Sequence, residues 1–313
     1  MSMLIRVRAL AEFRKHGASH ARVAPDTMLA ALLALAALDA DALLRADARR
    51  RRPPSALGAE VLPAPRDGAP APVSAALPGV LRVAHCDGGD AAYAVAPAGG
   101  AAGLLVGVPA AGALAAVEAH CRGAPATWFL PGRVGDGAAQ EAVRAAFPDA
   151  RRVVHRMDAG RGAYRRDDDL LLSAAGARLT FRAKDAGVTT TRARDDGPWA
   201  LAPTLAARWC PGPSQGACAL VADVGGQRAL FSGRLAGHDG RAGAVAPFAL
   251  EGEHSAAEHA ASLRAVARAG DDWDFTWLLP GRGDAVRFES PAAARAALEA
   301  AADAAAAMAA RGA

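Results

Sequence analysis

Two almost identical stretches of the chain each place an arginine directly after a Pro-Gly turn. Thr127-Trp-Phe-Leu-Pro-Gly-Arg133 and Thr276-Trp-Leu-Leu-Pro-Gly-Arg282 differ at one position. Each pattern is typical of a buried strand that runs into a tight turn. A guanidinium is permanently charged, and its fork of donors matches a carboxylate or a phosphate. Two interpretations stay open: the pattern recurs by chance in a biased composition, or two pseudo-symmetric halves each deliver a loop to one shared site.

The residues that ordinarily bind zinc or act as nucleophiles are scattered. His16 and His20 are four residues apart and could share a helix face, but no Glu lies between them and no third ligand accompanies them. The pairs His85-Cys86 and His120-Cys121 would form a metal site only if the fold brought them together, which their spacing does not require. Ser214 lacks a GxSxG pattern and an assigned base. We therefore assign no catalytic residue.

Short apolar runs alternate with helical stretches from residue 79 onward. The predicted helices are Ala111 to His120, Ala138 to Phe147, Ser255 to Ala269 and, capped by Ser290, Pro291 to Ala309. The predicted strands are Leu81 to Ala84, Tyr93 to Ala96, Leu104 to Val108, Thr127 to Leu130, Arg152 to His155, Leu170 to Leu172, Leu179 to Phe181, a run ending at Trp209, Cys218 to Val224, Ala229 to Ser232 and Phe275 to Leu279. This layout predicts mixed sheets covered by helices.

The first 78 residues differ from the rest in composition. Asp26 and Thr27 are plausible caps of an Ala/Leu-rich helix over residues 26–47, which Pro53 follows. Residues 53–78 are rich in Pro, Ala and Gly with little periodicity, which favours a linker or an extended strap. We therefore predict a helical N-terminal segment over 1–52, a linker over 53–78 and the main domain over 79–313.

Composition argues against several classes of partner. The formal net charge of +4 rests almost entirely on arginine, because Lys15 and Lys184 are the only lysines; this indicates codon bias rather than a nucleic-acid site. The longest apolar run, Met28 to Leu38, is shorter than the roughly 20 residues of a spanning helix. The four cysteines do not make a disulfide framework. We expect a soluble intracellular protein with no membrane span and no specific nucleic-acid partner, in the cytoplasm or a plastid; a targeting segment stays open.

The order of motifs over about residues 79–290 resembles the metallo-β-lactamase-fold hydrolase superfamily. The strands up to Leu130 follow the order in that family and lead to the loop where it has a His-rich metal motif. Cys210-Pro-Gly-Pro213 stands where the family has TPGHT, Leu230-Phe-Ser-Gly-Arg234 where it has LFTGD, and Trp277-Leu-Leu-Pro-Gly-Arg-Gly283 where it has VLPGHG. The resemblance implies an α/β (α+β) fold, a four-layer αββα sandwich, and in the family a zinc or iron centre.

The resemblance extends to a ferredoxin-fused subgroup of plants, algae and bacteria. Its metal loop reads like THRDDVADH and is followed by FGAKRIIH, where this chain has Pro131-Gly-Arg-Val-Gly-Asp-Gly137 and Ala146-Phe-Pro-Asp-Ala-Arg-Arg-Val-Val-His155. The segment from Phe13 to Arg22 is similar to a remnant of the ferredoxin-like module. No Cys precedes Cys86, and a cluster needs about four thiolates, so no iron–sulfur cluster is expected.

The positions of the metal ligands in that family carry residues that cannot bind zinc. The first-motif His, the PGHT His, the bridging Asp and the PGHG His correspond, in this order, to Gly132, Pro213, Arg234 and Arg282. No His lies between His120 and His155, so shifting the alignment does not restore the motif. Asp136 and His155 remain as possible ligands, and two scattered ligands do not make a site. We expect no metal or other cofactor.

Three hypotheses follow. In the first, metal-dependent hydrolysis is lost and Arg133, Arg234 and Arg282 fill the former metal position, with Asp136 and His155 in the same pocket. Such a pocket would bind an acidic small molecule or an acidic segment of a partner protein. In the second, a divergent metallo-hydrolase with thioesterase-like activity uses unrecognised ligands. In the third, the protein is a structural or interaction subunit with a collapsed pocket.

Overall fold

The computed structural model of the chain describes most of the region after residue 58. The described ranges are 59–63, 69–86, 90–96, 103–133, 137–159, 170–172, 178–183, 187–192, 198–248 and 255–312. The predicted N-terminal segment over 1–52, with its helix, and Asp136 lie outside these ranges. The domain boundary at the start of the chain therefore stays a prediction.

The larger sheet has nine strands in the order β10-β9-β8-β7-β6-β5-β4-β3-β2. Its central strands β5 to β8 run parallel, and the outer pairs are antiparallel. The strands are β2 (Ala71–Ser74), β3 (Leu77–Ala84), β4 (Ala91–Val95), β5 (Leu104–Val106), β6 (Thr127–Leu130), β7 (Arg151–His155), β8 (Leu170–Leu172), β9 (Arg178–Ala183) and β10 (Gly187–Arg192).

The smaller sheet has seven strands in the order β1-β18-β17-β14-β13-β12-β11. Only the β14–β17 pair is parallel. The strands are β1 (Ala59–Leu62), β11 (Trp199–Ala202), β12 (Leu205–Trp209), β13 (Cys218–Val224), β14 (Gln227–Gly233), β17 (Trp277–Pro280) and β18 (Ala285–Phe288). A separate hairpin is formed by β15 (Gly237–Asp239) and β16 (Ala244–Ala246).

The helices cover the outer face of each sheet. A short 3-10 turn, Ala111–Ala113, leads into α1 (Leu114–Cys121), and α2 (Gly137–Ala146) follows β6. Val117 and Val143 from these helices are buried with the outward side chains of the nine-stranded sheet. The helices α3 (Ala256–Ala267) and α4 (Pro291–Gly312) pack against the seven-stranded sheet. As predicted, the hydroxyl of Ser290 caps α4, accepting the backbone N–H of Ala293.

The two sheets pack face to face over a central apolar layer. Because side chains alternate along a strand, Phe129 points into this layer while Trp128 and Leu130 point out toward the helices. Tyr93 and Phe231 meet edge to face across the layer, with ring centroids 5.5 Å apart. The layer order is therefore helices, sheet, sheet, helices. The predicted αββα sandwich is confirmed.

Two strands lie inside the segment that was predicted to be a linker, so that prediction was wrong for those residues. Strand β1 pairs with β18, and β2 pairs with β3, each at the edge of its sheet. Both are only four residues long. Pro72 is tolerated in β2 because an edge strand has one side without a ladder of hydrogen bonds. Short, proline-containing edge strands do not produce the apolar runs from which strands were predicted.

Candidate functional site

A cleft opens where loops from both sheets come together. Its lining is rich in glycine and proline, with a few polar side chains among them. The lining residues are His85, Asp90, Ala91, Gly107, Pro131, Gly132, Arg133, Pro213, Ser214, Ala217, Gly233, Arg234 and Gly281. The loops after β6, β12, β14 and β17 all contribute, so the four segments that the resemblance matches to the family's metal motifs lie at one edge of the sandwich.

The two Pro-Gly turns are tied to the opposite sheet by backbone hydrogen bonds. The N–H of Cys218 in the seven-stranded sheet donates to Pro131 O at 2.8 Å. The second turn is bound by β4 of the nine-stranded sheet. The hydroxyl of Tyr93 donates to Pro280 O at 2.7 Å, and the N–H of Ala91 donates to Gly281 O at 2.5 Å. Burial raises the pKa of Tyr93 to about 12, so this hydroxyl keeps its proton at neutral pH. Each turn is thereby held in place over the cleft.

Gly233 lies between the two Pro-Gly turns, where there is no space for a Cβ. The N–H of Gly281 donates to Gly233 O at 2.6 Å, and a Cβ at position 233 would lie 2.8 Å from Pro131 Cβ. The residue also has φ +56°, a left-handed conformation that favours glycine. The chain therefore needs glycine here to bring both turns against the end of β14 and to aim the next residue into the cleft.

That next residue, Arg234, forms an ion pair inside the cleft. Its Nη2 and Nε both donate to Asp90 Oδ2, at 2.6 and 2.9 Å. The Asp90 side chain is only 8% exposed, and that of Arg234 is 24% exposed. Asp136, the acidic residue that the sequence-based hypothesis placed in this pocket, lies outside the described residues. The pairing with Asp90 places a fixed cation at the position that the resemblance assigns to the bridging metal ligand.

A second polar cluster lies beneath Gly132. The hydroxyl of Ser214 donates to Asp158 Oδ2 at 2.5 Å, and the N–H of Gly216 donates to Asp158 Oδ1 at 3.1 Å. Burial raises the pKa of Asp158, while the hydrogen bonds from Ser214, Gly216 and the backbone of Arg133, and the charge of Arg133, act in the opposite direction. A Cβ at Gly132 would lie 3.7 Å from Ser214 Oγ. The pair thus lies just under the turn where the family has its first histidine.

His155 is not part of the cleft lining, although it was a candidate pocket residue. Its ring stacks on Trp209, with centroids 5.5 Å apart and planes 8° apart. The Nδ1 atom accepts the N–H of Met157 at 3.3 Å, and Nε2 is buried with no hydrogen-bond partner among the described residues. Burial lowers the pKa of this imidazole to about 4, and Arg156 adds to the shift. His155 is therefore a neutral core side chain that supports the loop after β12 through Trp209, which donates to Gln215 O at 2.9 Å.

The three arginines of the sequence-based hypothesis do not all meet. Arg133 and Arg234 line the cleft. Arg282 is exposed and is not among the lining residues; only the backbone of its neighbour Gly281 reaches the cleft. The predicted cluster is therefore reduced to two arginines.

The described lining does not fit a zinc or iron centre. Only His85 and Asp90 offer ligand atoms of the usual kinds, and Asp90 already accepts two hydrogen bonds from Arg234. Within the described ranges, no three side chains from His, Cys, Asp and Glu gather as a metal site would require. The two His-Cys pairs make different contacts. His85 Nδ1 lies 3.6 Å from Sγ of its neighbour Cys86, whereas His120 Nε2 lies 2.9 Å from Gly79 O. His16 and His20 lie outside the described residues.

Solved structures similar to this chain include the metallo-β-lactamase MIM-2, at 16% identity over 75% of this chain and 89% of that one, with a TM-score of 0.46. A second is ETHE1 from Myxococcus xanthus, at 13% identity over 72% of this chain and 84% of that one, with a TM-score of 0.43. A third, described as a diflavin flavoprotein fragment from Nostoc, has 16% identity over 78% of this chain and 99% of that one, with a TM-score of 0.47.

These three are metallo-β-lactamase-fold proteins. No family model and no curated protein matches the sequence. At these identities and TM-scores the similarity carries no argument, so any functional conclusion rests on the cleft itself. Among the described helices, none has the length and apolar character needed to cross a bilayer.

Sequence reasoning missed two acidic residues, one in the cleft lining and one beneath it. Asp90 and Asp158 are 144 and 56 residues away from their partners Arg234 and Ser214. Ser214 was noticed after its Pro-Gly-Pro turn, but a base so distant along the chain leaves no local pattern. For Asp90 the available signal was its place directly before the buried strand β4, a position from which a side chain reaches the sheet edge.

Proposed function

We propose that this domain has lost metal-dependent hydrolysis and binds an anionic group in its cleft, carried by an acidic small molecule or an acidic segment of a partner protein. The observation that carries the proposal is the Arg234–Asp90 ion pair. An arginine stands where the family resemblance implies a metal-bridging carboxylate, and its guanidinium is fixed by a mostly buried carboxylate at 2.6 and 2.9 Å. A metal ion and this cation would repel each other at the same place.

The guanidinium of Arg234 keeps donors for a ligand. It has five N–H bonds, and Asp90 takes two of them. Arg133 adds a second positive charge to the same lining. The carboxylate of Asp158 is already satisfied by Ser214 and Gly216, so it competes little for these donors. Planar guanidinium groups are suited to carboxylate and phosphate groups.

Thermal unfolding with and without citrate or phosphate tests the proposal. At ten times the dissociation constant, a ligand of the native state adds about 1.4 kcal/mol, or roughly 3 to 5 °C in the melting temperature. The matched variants are Arg133→Ala and Arg282→Ala, because both arginines follow a Pro-Gly turn and are exposed, and only Arg133 lines the cleft. We expect Arg133→Ala to reduce the citrate shift and Arg282→Ala to keep it.

The outcomes separate the hypotheses. If citrate and phosphate produce no shift in the wild-type protein, the anion-binding proposal fails and the structural-subunit hypothesis gains support. If all three proteins shift equally, the anions act on the whole surface and the cleft is not their site.

A further inference from the structure

The Ser214–Asp158 pair is arranged as a nucleophile with its base. Ser214 lines the cleft, and its hydroxyl hydrogen points to Asp158 Oδ2 at 2.5 Å. A serine attacks an acyl or phosphoryl centre only when a neighbouring group takes its proton. The carboxylate at Asp158 is in hydrogen-bonding contact with the hydroxyl, so proton transfer needs no rearrangement of the pair.

The base is itself held in place. The N–H of Gly216 donates to Asp158 Oδ1 at 3.1 Å, and the backbone of Arg133 hydrogen-bonds the same carboxylate. A Cβ at Gly216 would lie 2.6 Å from Asp158 Cγ, so glycine is required for this close approach. The arrangement therefore has the three parts of an activated nucleophile: the serine, a base within hydrogen-bond reach, and groups that orient the base.

The same cleft contains groups that stabilise negative charge. The guanidinium of Arg133 interacts electrostatically with Asp158, and Arg234 shares the lining with Ser214. An oxyanion that forms on a substrate carbonyl next to Ser214 would meet positive charge rather than bulk water. Nucleophile and cations thus line one cleft whose described lining does not fit a metal, and the base lies directly beneath that lining.

We propose that Ser214 is a metal-independent acyl-transfer nucleophile and that Asp158 is its general base. The Ser214 Oγ–carbonyl bond forms, the bond to the leaving alcohol or thiol breaks, and the hydroxyl proton passes to Asp158 and then to the leaving group. Water, deprotonated by Asp158, releases the acyl group as a carboxylic acid and restores the serine. The substrate class is an ester or thioester whose acyl part bears a carboxylate; this preference rests on the proposed anion binding, whereas the nucleophile does not.

A neutral alkyl fluorophosphonate tests the nucleophile in the full-length protein. Ser214 Oγ would attack phosphorus, fluoride would leave, and the intact mass would rise by one adduct per chain. We expect peptide mapping to locate the adduct on Ser214. Ser214→Ala should abolish the labelling, and Asp158→Asn should slow it by at least about 100-fold, the usual contribution of a general base. Ser232→Ala is the matched control, because Ser232 is also buried but donates to a backbone carbonyl, Ala236 O, at 2.5 Å.

Labelling of other residues at equal rates in the wild-type protein and Ser214→Ala would overturn the proposal, and so would no labelling of the wild-type protein. If either variant fails to fold, the peptide map of the wild-type protein decides alone.

The substrate class is tested separately, by comparing hydrolysis of para-nitrophenyl acetate with that of para-nitrophenyl hydrogen succinate. We expect a higher kcat/KM for the succinate ester, lost in Arg133→Ala. Equal values for the two esters, with Ser214 still labelled, would reject the anion-binding proposal while leaving the nucleophile intact.

Discussion

The turns after β6 and β17 have nearly the same sequence but opposite surroundings. In β6, Trp128 faces outward, under the helices that cover the nine-stranded sheet, and its Nε1 donates to Gly107 O at 2.7 Å. In β17, Trp277 faces inward between the sheets, and its Nε1 donates to Gln227 Oε1 at 2.5 Å. The two copies of one sequence are therefore inserted with opposite faces toward the centre of the sandwich.

The two arginines also differ in position. The strand alternation ends at the bends that follow Leu130 and Pro280. Arg133 lines the cleft, whereas Arg282 is exposed and is not among the lining residues. A local sequence can thus specify a strand and its turn, while the packing on each face decides which side chains reach a site.

The largest expected difference in stability is between substitution of Arg234, which lies in the cleft, and substitution of the exposed Arg282. Arg234→Ala should destabilise the protein by about 2 to 3 kcal/mol, because it leaves the mostly buried carboxylate of Asp90 without its partner. Arg282→Ala should cost less than about 0.5 kcal/mol, as surface substitutions usually do. Denaturant unfolding measures both. Equal losses would show that Arg282 also has a buried partner.

The stability of the protein is expected to depend on pH through His155, which lies on the strand next to β6. The folded-state pKa of His155, on the neighbouring strand β7, is about 4, below the value of about 6.5 for an unfolded chain. The unfolded state therefore binds the proton more readily, and the stability that this group contributes above pH 6.5 is lost as the pH falls toward 4. Between pH 8 and pH 5 the loss should be about 2 kcal/mol.

His155→Phe keeps a ring for stacking on Trp209 and removes the titration. Its free energy of unfolding should therefore fall less than that of the wild-type protein between these two pH values. An identical fall in both proteins would place the pH sensitivity in other groups.

The smallest expected difference in stability is between two matched glycine substitutions, one in each turn. A Cβ at Gly281 would meet the O, C and Cα atoms of Gly233 at 3.1 to 3.3 Å, all of them backbone. A Cβ at Gly132 would meet nothing closer than Ser214 Oγ at 3.7 Å, an ordinary contact. Gly281→Ala should cost about 1 kcal/mol and Gly132→Ala less than about 0.5 kcal/mol. The reverse order of melting temperatures would contradict the account of how the turns pack.

Much of the scaffold could be predicted from the sequence, because apolar alternation and capping residues are local. Strands such as β6 and β13, and helix α4 after Ser290, follow from the pattern. The edge strands β1 and β2 could not be predicted, since they are short and lack alternation.

The location of the cleft was predicted from the order of its loops, but its chemistry was not. The pairs Arg234–Asp90 and Ser214–Asp158 join residues far apart in the chain, and only the folded packing brings them together. The exposure of Arg282, outside the cleft that Arg133 lines, is likewise a result of the folded packing. Local patterns in a sequence do not contain either kind of information.

The metal content of the purified protein tests most directly the claim that an arginine has replaced the metal. Protein prepared without chelator, dialysed and measured by elemental analysis should hold far less than one zinc or iron per chain, because Asp90 is engaged by Arg234 and the described lining does not supply a set of ligands. About one zinc or iron per chain, retained through dialysis, would contradict the account.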